Sequence, residues 1–306
     1  MPDGASRLGV NVYCWGQTAQ NLLLTECLAP AAQQLRDEFG FARFWFDRFD
    51  ARGPHIIALF TLPRGAAPPA TVRLASRLEG FFAAHPERGE VSDESVEKRH
   101  LSVRGAAYCK VDREPGIAEE NSFRFFEPGP ADYPLALTRG LPEAEAQAIW
   151  DLIDNLSLWA VRQIASDPEH GAVPVAVRWV ASWEWTLRRM HPAAEEYWRF
   201  HAGSLLFGLP RRLEEDANQV LAALPEAIGE RNARTFSRIW NEMEMAEPPW
   251  PRLGDLLRLL LAETNPPAVN PWRLPREIVH WTLKQLCLYV SAEIPLVLYA
   301  WRRNLS

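Results

Sequence analysis

FARFWFDRFDARGPHIIALF, residues 41–60, places two runs of strand character on either side of one short turn. Residues 41–49 are dense in aromatics and spaced like a strand, residues 55–62 (HIIALFTL) run back, and the segment between them, ending in Gly53-Pro54, has turn composition. The pair predicts a β-hairpin.

Upstream, residues 8–15 (LGVNVYCW) read as an opening strand. Residues 21–39 then switch to helical spacing, with Leu24, Leu28, Ala31, Leu35 and Phe39 on one stripe. Downstream, residues 72–84 repeat that pattern and Pro86 stops it. Residues 87–99 are polar and turn-like, and residues 101–111 and 122–126 have strand character. The first part of the chain therefore reads β-α-β-β-α-β-β, a mixed sheet layer with helices.

Past the Pro-rich segment 127–142, helical patterns take over. They cover residues 142–165, 173–190, 193–206, 211–228, 231–247, 252–264 and 275–303, the last bent near Pro295. The fold class is α+β: a sheet-containing half, residues 1–128, packed closely against a mainly helical half, residues 129–306, as two domains or one. An active cleft is expected between the halves.

The 306 residues are 47% hydrophobic and 24% charged, which suits a globular chain with a substantial core and excludes disorder. Cys14, Cys27, Cys109 and Cys287 are scattered without CxxC spacing, arguing against disulfides and structural zinc. Apolar runs are too short for a membrane span and no targeting leader is read, so a cytoplasmic location without membrane association is expected. Of 33 basic residues only Lys98, Lys110 and Lys284 are lysines, so most positive sites offer a planar fork. The net charge of −6 argues against general nucleic-acid binding. Walker, GxGxxG, HExxH and GxSxG motifs do not occur, which leaves a reaction without cofactor or metal as the expectation.

Three stretches, in order, resemble the C-terminal elimination domain of lantibiotic dehydratases and the small stand-alone proteins of thiopeptide biosynthesis. They are the hairpin at 41–60 with its Gly-Pro-His, the helix YWRFHAGSLLF at 197–207 containing His201, and HWTLKQL at 280–286, followed by Glu293. The likeness spans nearly the whole chain and lies in order and spacing. It implies that His280 takes the place of the family's acid-base histidine.

Two departures matter. Members that eliminate glutamate carry arginines on the returning strand, where this chain has Ile57 and Leu59, and an Asn-Arg pair where it has Lys284-Gln285. An apolar pair cannot hold a glutamyl carboxylate. The resemblance therefore points to the pyridine synthases, which join two dehydroalanines of a modified ribosomal peptide in a formal [4+2] cycloaddition and then lose water and the leader peptide. A lyase resembling the elimination domain and a non-catalytic precursor-binding partner stay open as alternatives. The implied partner is a precursor peptide with a leader and a dehydrated, azole-containing core; a homodimer is allowed, not specified.

The acid-base candidates are His280, Tyr108, Glu120 and Tyr289, since proton transfer near neutrality favours histidine and suitably tuned carboxyl or phenol groups. Candidate substrate contacts are His55 after the turn, Ser122 and Arg124 at the start of a strand, Trp183, His201, Lys284 and Gln285. Each histidine has an alternative as a packed, hydrogen-bonded core residue, and Glu119-Glu120-Asn121-Ser122 an alternative as a solvated turn. The tryptophans of the helical half are either core or a stacking wall for azoles. The pairs Arg188-Arg189, Arg211-Arg212 and Arg302-Arg303 either receive an acidic leader or form solvated faces. A strand edge of the N-terminal layer is a further place for the leader.

Overall fold

The structure is a computed structural model describing residues 5–49, 52–86, 116–129, 138, 141–166, 173–205, 230–243, 248–261, 271–286 and 290–305. The expected strand 101–111, the helix 211–228, Tyr108, Tyr289 and Arg211-Arg212 lie outside them. The chain forms two compact units, Met1–Gly171 and Ala172–Ser306.

The first unit is built on a four-stranded sheet of β1 (Ser6–Tyr13), β2 (Arg43–Phe49), β3 (His55–Leu62) and β4 (Ser122–Phe126), in the order β2-β3-β1-β4. The hairpin read from residues 41–60 is β2 and β3. The sequence predicts a mixed sheet, but every pairing among the described strands is antiparallel. The reason is topological. β1 and β2 run the same way, joined by a helical crossover, but β3 slots between them and opposes both, so no parallel neighbours arise.

That crossover spans α1 (Gln17–Leu22), a π-helical stretch Leu23–Leu28, and α2 (Ala29–Phe39), where the sequence spacing predicts one plain helix. α3 (Ala67–Ala84) packs on β1. One sheet face carries Val10, Val12, Phe44, Phe46, Ile56, Ala58 and Phe60, all fully or nearly fully buried, with Phe44 and Phe60 5.4 Å apart. Arg48 shares this face and would be costly there without partners. Its Nη1 and Nη2 donate to Gln20 and Asn21 of α1 at 2.9 and 2.8 Å.

β2 is an edge strand, and α4 (Glu143–Ser166) covers it. Asp154 of α4 accepts from the Phe44 amide at 2.7 Å, taking the role of a missing strand neighbour, and from Arg36 Nη2 at 3.0 Å. Asp151 pairs with Arg43 at 2.6 Å. Burial pushes the Asp154 carboxyl up, against the lowering effect of the Phe44 amide and the two arginines. At the far edge, Phe126 lies over Gly9, where a Cβ would stand 2.4 Å from the ring.

The second unit is helical throughout its described residues: α5 (Val173–Met190), α6 (Ala194–Leu205), α7 (Glu230–Met243), α8 (Leu253–Leu261), α9 (Arg273–Gln285) and α10 (Val290–Leu305). The helix expected over 275–303 is two helices, α9 and α10. The break falls before residue 290, and Pro295 sits within α10. α5 is the central element, contacting each of the other five. Its sequence VPVAVRWVASWEWTLRRM suits that place because Ala176, Val177, Trp179, Val180, Ala181, Trp183 and Leu187 bury several sides. Trp179 and Trp183 lie 5.6 Å apart, with Trp250 5.9 Å from Trp179. The indoles of the helical half are thus mostly core. Among the described residues, no helix is long and apolar enough to cross a membrane.

Candidate functional site

In the helical unit, four side chains from three helices form one hydrogen-bonded chain. Tyr197 and His201 sit on α6 at a spacing of four, which puts both on one face. His280 comes from α9, and Glu293 from the first turn of α10, where the partial positive charge of a helix N-terminus favours a carboxylate.

Glu293 joins them. His201 Nε2 lies 2.9 Å from Glu293 Oε1 and His280 Nδ1 lies 2.6 Å from Oε2. Tyr197 Oη stands 3.2 Å from His201 Nδ1. The donors follow from chemistry: an ionised carboxylate only accepts, so each histidine donates the nitrogen facing it. His201 then receives the Tyr197 hydroxyl at Nδ1, which fixes it as a neutral tautomer. Its ring lies parallel to that of Trp198, 6.1 Å away.

Electrostatics agree with this assignment. Burial lowers the His201 pKa from its ordinary value, outweighing the opposite pull of Glu293. Burial also works to raise Glu293, but hydrogen bonds from His201 and His280 hold its carboxyl well below the usual range. Burial and the Glu293 charge push the Tyr197 hydroxyl up, so it stays protonated. Glu293 is ionised, His201 neutral and Tyr197 a donor.

Of the four, only His280 reaches solvent, with 17% of its side chain exposed. Nδ1 is committed to Glu293, which leaves Nε2 as the nitrogen for proton exchange. A buried carboxylate behind an imidazole fixes its orientation and tautomer. The arrangement can accept a proton at Nε2 and return it.

Lys284 lies one turn past His280 and is partly exposed, while Gln285 is buried at the end of α9. Trp183 is fully buried between Trp179 and Tyr197.

The remaining predicted residues gather at one end of the sheet in the first unit. His55 is fully buried, and its Nδ1 donates to the Gly53 carbonyl at 2.8 Å. Gly53 supplies a φ of 112° that a side chain would strain. The His55 ring contacts Tyr13 and Phe49, and its neighbours in register are Tyr13 and then Ser122. Backbone bonds from Ala118 to Arg52 and from Asn121 to Tyr13, both 2.8 Å, tie the Glu119-Glu120 loop to this end. Ser122 Oγ donates to the Glu119 carbonyl. Arg124 is exposed on β4, opposite Asn11. Burial, aided by the Glu120 charge, pushes the Cys14 thiol up to about 12, so it is no nucleophile. Ile57 and Leu59 are buried and apolar.

The structure thus brings His201 and His280 together through Glu293 and places His55, Glu120, Ser122 and Arg124 in the other unit. The sequence names Glu293 only as part of a motif and does not single out Tyr197. The one signal for Tyr197 is its spacing of four from His201.

A scan against protein-family models and a search of curated proteins gave no match. Among solved structures, the pyridine synthase TbtD from thiomuracin biosynthesis matches with a TM-score of 0.62 at 18% identity, over 98% of this chain and all of that one. TsrL matches with a TM-score of 0.53 at 14% identity, over 98% and 94%. The tRNA-dependent lantibiotic dehydratase MibB from Microbispora sp. 107891 gives 0.48 at 14% identity, with this chain spanning 29% of its length. At these identities the likeness establishes fold. It is the α+β fold that the resemblance read from the three sequence stretches implies.

Proposed function

We propose that this protein is an enzyme of ribosomal-peptide modification of the pyridine synthase type. Its reaction joins two dehydroalanines of a dehydrated, azole-bearing precursor in a formal [4+2] cycloaddition, then releases water and the leader peptide. The observation that carries the reading is the His280–Glu293 pair at 2.6 Å, buried on the carboxylate side and open on the imidazole side.

The chemistry needs a proton carrier more than a nucleophile. One amide must shift its proton from nitrogen to oxygen, giving a 2-azadiene that closes on the second alkene with two new C–C bonds, the ring nitrogen being the amide nitrogen already in place. The adduct then becomes aromatic by losing water and the leader as its amide, and both leaving groups need a proton. His280 Nε2 suits each step: it takes the amide proton and delivers one to the departing group. Holding the two alkenes together supplies much of the remaining acceleration, with effective molarities worth roughly 7–11 kcal/mol.

Glutamate elimination fits less well, because Ile57 and Leu59 offer no charge for a glutamyl carboxylate or an oxyanion. The test is incubation of the purified protein with a dehydrated, azole-bearing precursor, followed by mass spectrometry. Loss of the leader mass is expected. Unchanged mass with measurable binding would make the protein a non-catalytic precursor-binding partner.

A further inference from the structure

Helix α9 (Arg273–Gln285) is buried along its length except at four residues: Arg273, Arg276, His280 and Lys284. Their spacings of three, four and four place them in single file on one face. An ordinary surface helix shows a broader outer face of mixed sign. Here every residue of α9 that is not buried is basic, in a chain whose net charge is −6. Among the described residues, two acids near the file are turned inward: Glu293 is fully buried and Glu277 nearly so.

Arg276 is held in place at the file. Its Nη1 lies 2.6 Å from Glu277 Oε1 and its Nε donates to Ser204 Oγ at 3.0 Å. A guanidinium has five N–H donors, so it can serve these partners and a further carboxylate.

We propose that this file is a binding strip for an acidic segment of the peptide substrate, with carboxylates at Arg276 and Lys284 bracketing His280. The proposal rests on the reading that the substrate is a peptide. The spacing suits it: residues four apart on a helix rise about 6 Å, and every second side chain of an extended peptide is about 6.8 Å from the last. An extended segment with alternating acids therefore stays in step with the file over two intervals, and the long Lys and Arg stems absorb the difference. Arg276 offers a planar fork and Lys284 a compact ammonium, so the first sets register and the second adds charge.

The test is fluorescence anisotropy with a labelled EAEAEA peptide and a QAQAQA control on the full chain. The acidic peptide is expected to bind and to weaken with salt, and the control is not. Lys284→Glu should weaken binding of the acidic peptide about three- to tenfold, the scale of partly exposed pairs when one is reversed. Glu277→Gln should tighten it by removing the competing carboxylate, a gain that misfolding cannot produce; failure to tighten removes Arg276 from the strip. Equal binding of the two peptides, or Lys284→Glu indistinguishable from wild type, overturns the proposal. Turnover separates it from the functional reading. A precursor whose acidic residues are changed to glutamine and is converted at unchanged KM sinks the strip alone, whereas acidic-peptide binding without any turnover sinks the enzyme reading alone.

Discussion

Both units bury charge, but they use it differently. In the sheet unit, Arg48 on its two amides, Arg43 on Asp151 and Asp154 on Phe44 and Arg36 fasten one element to another. In the helical unit, Glu293 also fastens helices, yet one of its two partners, His280, reaches solvent. The sheet-unit partners Asp151 and Arg36 reach solvent as well. They pair a guanidinium with a carboxylate, which fastens without proton exchange, whereas the solvent-reaching partner of Glu293 is an imidazole. The difference is why the reacting group is placed at His280 rather than at His55, which is fully enclosed.

The contrast breaks most directly at Glu293. Glu293→Gln keeps the size and removes the charge, so turnover of the precursor is expected to fall by about 10³-fold, within the range of acid-base and orienting groups. Turnover within tenfold of wild type would place the proton carrier elsewhere.

The next effect belongs to the sheet unit and should appear in stability. Asp154→Ala leaves the Phe44 amide and Arg36 without their acceptor, an expected cost of about 2–3 kcal/mol in urea unfolding. A midpoint unchanged from wild type would show that α4 holds β2 by apolar contact alone.

Gly9→Ala sharpens the same side of the comparison. The added carbon would stand 2.4–2.7 Å from Phe126 ring atoms, so a loss of about 1–3 kcal/mol is expected. The loss should shrink in a Phe126→Ala background, and additive losses would count against ring contact as its cause.

The smallest expected effect is a slope with pH. Because burial lowers the His201 pKa below its ordinary 6.5, the unfolded chain takes up the proton first as pH falls. The contribution of neutral His201 is therefore complete above about 6.5 and lost progressively below it, by at most about 1.4 kcal/mol per pH unit. His201→Gln should flatten that part of the stability profile, and an unchanged slope would assign it to other groups.

Much of this is legible in residue order. Gly-Pro-His between two strand-like runs specifies the β2–β3 hairpin, because a turn that needs φ above zero and two flanking extended runs are local properties. Helical spacing specifies α5 and its apolar faces, and the apolar character of Ile57 and Leu59 follows from residue identity alone. His280 stands out as a histidine between Val279 and Trp281. Less legible are the π-helical turn at Leu23–Leu28 and the break between α9 and α10, since their residues have ordinary helical composition.

Tertiary structure alone decided which of these residues act together. Glu293 is 92 positions from His201 and 13 from His280, and Asp154 is 110 from Phe44. Periodicity reports only which face of an element a residue occupies, and His55, His201 and His280 look alike by that measure. Whether a histidine is sealed in a core or is backed by a buried carboxylate and open to solvent depends on how distant helices pack, because hydrogen-bond geometry and desolvation are set by neighbours in space rather than along the chain.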